Sequence, residues 1–255
     1  MATSPLALVT GSSTGIGLEI ARELGRRGHD LVLCADEPHD RSQLEGVPVV
    51  EEVRADLATA EGVETLLATV RGLGRPLEVA ALNAGAGVSG RFLDRPVEDH
   101  LAVVRLDVLG TVQLAHGVLG DMVARGSGRV LITSSVVSGM PGPYQCVYNA
   151  SKAFLQNFGE SMHAELRGTG VTVTLLRPGA TETAFFRRAG LDTSLLGRMP
   201  KDDAGKTAAA GVDGLLAGRR QVVPTTPTGR LLDLTAAVVP PRVKATLQGF
   251  MSKPR

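Results

Sequence analysis

What most constrains this chain is an alternation: short apolar runs separated by longer amphipathic segments. Residues 6–10, 30–35, 47–53, 78–82, 128–133 and 171–177 read as strands. Several are consecutive Leu, Ile, Val or Ala without polar alternation, as in strands covered on both faces. Between them, residues 15–28, 59–72, 97–124 (broken or bent near Leu106) and 147–168 carry helical patterns. The first two end on Arg27-Gly28 and Arg71-Gly72, a helix-stop signal. Strands that alternate with helices need crossovers, and crossovers are right-handed. The expected fold class is therefore α/β, a doubly wound parallel sheet of about seven strands with helices on both faces.

Composition agrees. Aromatic residues are 3% and Trp is absent, so the core must be built from Ala, Val, Leu and Ile. A helix near 202–217 and a last strand at 221–225 follow, then a tail after Pro227 with one or two helical patterns around Pro240-Pro241. No linker, repeat or low-complexity tract divides residues 1–255, so one domain is expected. Net charge is +1 with no basic run, which argues against nucleic acid or an anionic membrane as partner. Cys34 and Cys146 read as buried thiols in a reducing compartment. The five histidines lack metal-ligand spacing, so no metal is expected. No signal peptide is visible, and the apolar stretch at 234–239 is too short to span a bilayer. A cytoplasmic protein is the expectation.

Directly after the first strand comes Thr10-Gly11-Ser12-Ser13-Thr14-Gly15-Ile16-Gly17, and a helix follows. Strand, glycine turn and helix N-terminus together form a dinucleotide phosphate site, because glycines admit the pyrophosphate and free N–H groups bind it. A tight turn without ligand uses the same glycines. At the end of the second strand stands Cys34-Ala35-Asp36-Glu37. A carboxylate here accepts hydrogen bonds from the ribose hydroxyls of NAD and repels the 2′-phosphate of NADP. His39 and Arg41 are the nearest cations in sequence. NAD is the expected cofactor, NADP the less favoured one.

Tyr148 and Lys152 stand four residues apart on one helix face. A cation about 4 Å from a phenol favours phenolate by about 4 kcal/mol at an effective dielectric near 20. That moves a phenol of pKa about 10 towards neutrality and makes it a proton-transfer group. The same spacing also occurs on solvated helix faces.

Taken in order, these motifs resemble the short-chain dehydrogenase/reductase family in its shorter form. The pieces are the Thr10–Gly17 turn, Asp56-Leu57, Leu82-Asn83-Ala84-Gly85, Ser134-Ser135, Tyr148-xxx-Lys152 and Arg177-Pro178-Gly179. The resemblance implies a Rossmann-type fold in which Gly11, Ser13, Thr14, Gly15, Ile16 and Gly17 cradle the dinucleotide. It implies that Asp56 and the Leu57 backbone hold the adenine, and that Asn83, Ala84 and Gly85 line the cofactor. Ser135 would polarise the substrate oxygen, Tyr148 would give or take its proton, and Lys152 would hold the nicotinamide ribose and lower the phenol's pKa. Pro178, Gly179, Thr181 and Thr183 would hold the carboxamide, although Thr183 also fits a helix N-cap.

One position departs from the pattern. Where the family carries Asn in an Asn-xx-Gly stretch that helps link Lys to solvent, this chain has Asp107-Val108-Leu109-Gly110. Three readings stand: a relay through the Asp107 backbone carbonyl, a working relay with altered pH dependence, or a weak or lost enzyme.

The implied activity is alcohol–carbonyl interconversion on a small molecule. Residues 180–200 read as a lid carrying Phe185, Phe186, Leu191, Leu195, Leu196 and Met199 alongside Arg187, Arg188 and Arg198; its apolar residues suggest an apolar alcohol or ketone, unless they pack on the body of the domain. The resemblance also implies a homodimer or homotetramer through helices 106–124 and 147–168, with Ala150, Ala153 and Gly159 allowing close approach. A nucleotide-binding scaffold without turnover and an NADP-dependent reductase are the alternatives.

Overall fold

The computed structural model describes residues 4–224 and 239–254. Every residue of β1 (Leu6–Thr10) is buried, as its unbroken apolar run requires. It is an inner strand of a sheet with β2 (Asp30–Ala35), β3 (Val49–Arg54), β4 (Leu77–Leu82), β5 (Gly128–Thr133), β6 (Val171–Leu176) and β7 (Gln221–Val222). The order is β3-β2-β1-β4-β5-β6-β7 and every pairing is parallel. The doubly wound sheet expected from the alternation is the sheet observed. β3 begins at Val49 rather than residue 47 because Pro48 has no N–H to give the ladder. β7 is shorter than expected, and Thr225 lies outside the described residues.

The helices are α1 (Gly15–Arg26), α2 (Ala60–Gly72), α3 (Val97–Arg125), α4 (Cys146–Glu165), the short α5 (Phe185–Arg188) and α6 (Leu195–Arg198), α7 (Ala204–Leu216) and α8 (Pro241–Ser252). Two apolar layers flank the sheet. One joins Leu8, Val32, Ala80 and Ile132 to Leu66 of α2, Leu114, Val118 and Met122 of α3, and Leu155 of α4. The other joins Val9, Leu33 and Leu131 to Ile20 and Leu24 of α1 and to Val212 and Leu215 of α7. Fully burying a side chain of this size stabilises by about 1.5–3 kcal/mol. These layers fix the sheet and so the loops at its C-terminal edge.

Among the described residues α3 alone is long and apolar enough to cross a membrane, but its apolar face lies on the sheet. It does not break near Leu106. It widens there into a π-helical stretch, Val104–Gly110. α8 begins with Pro241 at its first turn, the position where a missing N–H is tolerated. The rest of the tail, residues 225–238, lies outside the described residues.

Candidate active site

The strand order reverses at β1, whose neighbours are β2 and β4. In such sheets ligands bind at the carboxyl ends beside that switch point. The glycine turn sits there. Gly11 and Gly15 have φ of +62° and +61°, a backbone region that favours glycine. A Cβ on Gly17 would lie 2.0 Å from the Gly11 carbonyl oxygen and 2.6 Å from Asn83 Nδ2. Thr14 enters α1 in an extended conformation and its side chain caps no N–H, so the first-turn donors are left for an anion. This cradle fits a dinucleotide pyrophosphate. Asn83 stiffens it from behind: Nδ2 donates to the Thr10 carbonyl at 3.3 Å, and Oδ1 accepts from the Thr133 hydroxyl at 3.0 Å.

At the adenosine end, Asp36 is exposed just past β2, and its carbonyl accepts from Arg54 Nε at 3.1 Å. His39 turns inward, with Nε2 2.8 Å from Ser12 Oγ and Nδ1 3.4 Å from Glu52. Burial pushes its pKa down, against the pull of Glu52. Arg41 also pairs with Glu52, at 2.8 Å. The two cations nearest in sequence are therefore both engaged by one carboxylate. A cation from the lid reaches this end instead: Arg188 of α5 pairs with Glu37 at 2.7 Å. Asp56 closes its own turn by accepting from Ala58 N at 2.9 Å. Leu57 is buried beside it.

The chemistry-bearing residues converge one loop further on. Ser135 caps a short turn after β5; its oxygen accepts from Val137 N at 3.3 Å and lies 3.4 Å from the Pro178 carbonyl. The same hydroxyl faces the phenol of Tyr148, which sits on the first turn of α4. Lys152, one turn on, is buried, with its ammonium 3.3 Å from the Thr133 carbonyl.

The expected effect of Lys152 on Tyr148 is not what this geometry produces. The ammonium lies 5.7 Å from the phenol ring centroid and 3.3 Å from Asp107 Oδ2. Burial pushes the Tyr148 phenol up, the Asp107 carboxylate adds to the rise, and the Ser135 hydroxyl opposes it. Asp107 itself is fully buried, accepting from Ala86 N and the Ser151 hydroxyl, each at 2.8 Å. Its side chain touches Lys152 directly. Ser151 was not singled out from the sequence, since one Ser between Ala150 and Lys152 carries no spacing signal.

The lid is partly a small core of its own. Phe186, Ala189 and Leu191 cluster with Ala180, Phe185 and Leu196, whereas Met199 is exposed. Thr181 is buried and bridges to Asp202. Thr183 is not the N-cap of α5, which is Ala184, although its Oγ1 accepts from Phe185 N at 3.3 Å; its methyl lies where a Cβ on Gly15 would come within 2.9 Å. The strap thus rests on the glycine turn.

Two further expectations change. Cys146 is exposed at the start of α4, so only Cys34 is a buried thiol. Gly159 faces the sheet, where a Cβ would meet Leu175 at 2.6 Å, so it serves internal packing rather than a subunit seam. Ala150 is exposed.

The short chain dehydrogenase family model matches residues 5–193, and the chain belongs to that family. An uncharacterized oxidoreductase of Myxococcus xanthus is 36% identical over 185 residues, covering 68% of this chain and 70% of that protein. A short-chain dehydrogenase from Sphingobium yanoikuyae, solved in complex with NADPH, superposes with a TM-score of 0.77 at 28% identity, over 98% of this chain and 96% of that one. The bulky-bulky ketone specific alcohol dehydrogenase from Comamonas testosteroni gives a TM-score of 0.77 at 25% identity, over 100% and 96%. The chain is an oxidoreductase of this family with a Rossmann-type nucleotide-binding fold.

Proposed function

We propose that the chain interconverts an alcohol and a carbonyl with NAD(H), using Tyr148 as acid and base. The observation that carries this is that the Ser135 hydroxyl, just past β5, faces the Tyr148 phenol on α4, with Lys152 one turn further on. Two O–H groups side by side can hold one substrate oxygen and exchange a proton with it. The nicotinamide, when bound, supplies or accepts the hydride. Gly11, Gly15 and Gly17 give it room at the pyrophosphate, and Thr181 and Thr183 border its carboxamide end. Phe185, whose ring lies 5.1 Å from that of Tyr148, keeps water from the reacting oxygen and favours an apolar substrate. The ketone-specific dehydrogenase among the structural neighbours supports that substrate class.

Asp36 and Glu37 support NAD, since a 2′-phosphate would meet their charge. The NADPH complex of the Sphingobium yanoikuyae neighbour, and Arg188 beside Glu37, favour the second reading, NADP. A homodimer or homotetramer in the cytoplasm fits the family, and the exposed Leu109, Val123 and Phe154 on α3 and α4 are the apolar residues such a contact would cover. The deciding experiment is a panel of alcohols and ketones assayed with NAD(H) and NADP(H), with Tyr148→Phe as control. Turnover that survives Tyr148→Phe would sink the mechanism, a clear NADP(H) preference would sink the reading of Asp36, and cofactor binding without turnover would leave a scaffold.

A further inference from the structure

Asp107 holds donors from two directions. On Oδ1 it accepts from Ala86 N, in the loop after β4, at 2.8 Å; on Oδ2 it meets the Ser151 hydroxyl at 2.8 Å and the Lys152 ammonium at 3.3 Å, both from α4. A Cβ on Gly85 would stand 3.0 Å from Lys152 Nζ and 3.2 Å from Asp107 Oδ1, so glycine leaves room for this pair. The carboxylate is fully buried and Lys152 is 4% exposed, so water screens the pair little. An ammonium matched to a carboxylate presents almost no net charge to a third group nearby.

We propose that Asp107 is a positioning residue that withholds the Lys152 charge from Tyr148, so that the phenol holds its proton to higher pH than it would beside an unpaired Lys152. This rests on the reading of Tyr148 as the acid. In carbonyl reduction the carbonyl carbon receives a hydride from the reduced dinucleotide, which is thereby oxidised. The carbonyl π pair takes the phenolic proton on oxygen, and the phenolate left behind is reprotonated from solvent.

The groups facing the phenol support the same sense. α3 presents Asp107, α4 presents Lys152, and the loop after β5 presents the uncharged Ser135 hydroxyl. The lid presents Phe185, which also covers Gly87 of the loop after β4, and neither carries charge. Burial raises the phenol and the Asp107 carboxylate raises it further.

The chain has two tyrosines and no tryptophan, so ultraviolet titration of phenolate is readable, and the difference from Tyr148→Phe isolates Tyr148. The expected result is that Tyr148 ionises above the ordinary value of about 10. Asp107→Asn, which frees the ammonium's charge, should lower it by roughly one pH unit or more. Ionisation at or below the ordinary value in the wild type overturns the proposal, as does an unchanged titration in Asp107→Asn. The wild-type measurement decides even where that variant does not fold. No substrate or cofactor is needed, so failure here differs from failure of the enzymatic reading, which Tyr148→Phe turning over like wild type would expose.

Discussion

Phe185 of the lid lies against the ring of the proposed acid, Tyr148, with centroids 5.1 Å apart and planes inclined at 43°. The same ring covers Gly87, where a Cβ would come within 2.6 Å of it. One lid side chain therefore touches both the proposed proton donor and the loop after β4. Aromatic pairs of this kind contribute about 0.5–1.5 kcal/mol beyond their buried area. Phe185→Ala should open the pocket. We expect KM for small ketones to rise roughly tenfold, about 1.4 kcal/mol, while bulkier ketones gain relative to them. A size series of ketones assayed on both proteins checks this, and an unchanged KM ranking would place the substrate elsewhere.

The glycine cradle gives a sharper prediction. A methyl at Gly17 would stand 2.0 Å from the Gly11 carbonyl oxygen, which is backbone and has little freedom to move. Overpacking of this sort costs about 1–3 kcal/mol and shifts the turn. Gly17→Ala should lower Tm and weaken dinucleotide binding at least roughly tenfold, the equivalent of about 1.4 kcal/mol. Thermal unfolding and cofactor titration measure the two effects separately. Wild-type affinity in this variant would mean that the turn does not bind the pyrophosphate.

The sheet was legible because β1 and β2, from Leu31 on, run apolar without alternation, and only a doubly covered sheet accommodates that. Ser135, Tyr148 and Lys152 were legible because each follows its strand or helix at a fixed spacing. The charge balance among them was not. Spacing along α4 puts Lys152 near Tyr148, but the direction of a long flexible side chain depends on its partner, and that partner comes from α3, 45 residues earlier in the chain than Lys152. The Arg188–Glu37 pair was hidden for the same reason, since 151 residues separate its members. Long-range ion pairs leave no periodicity to read.

The two thiols should behave differently. Cys34 is fully buried in β2, and burial raises its pKa to about 12, with Asp36 adding to the rise. Thiolate is the reactive form, so Cys34 should be inert at neutral pH. Cys146 is exposed and should react. A chromogenic disulfide reagent near neutral pH should modify one thiol quickly and the second only after denaturant is added. Rapid modification of both would mean that the sheet opens readily at β2.

His29 makes stability pH-dependent on the acid side. It is 7% exposed, and its Nδ1 lies 3.2 Å from the Leu24 carbonyl at the end of α1. Burial pushes its pKa down, the Leu24 hydrogen bond opposes the shift, and Arg27 and Arg129 add to it. The folded chain therefore keeps the ring neutral at a pH where the unfolded chain has begun to protonate it, around 6.5. Below that point the unfolded state binds more protons, so stability rises with pH; the contribution is present above about 6.5 and is lost as pH falls through the folded value. His39, also lowered by burial, acts in the same sense. Tm should drop between about pH 7.5 and about pH 5.5, a window that brackets the ordinary histidine value. His29→Gln, which keeps a donor for the Leu24 carbonyl but cannot titrate, should lose part of that drop. An identical drop in the variant would remove His29 as its source and leave His39 and the carboxylates to account for it.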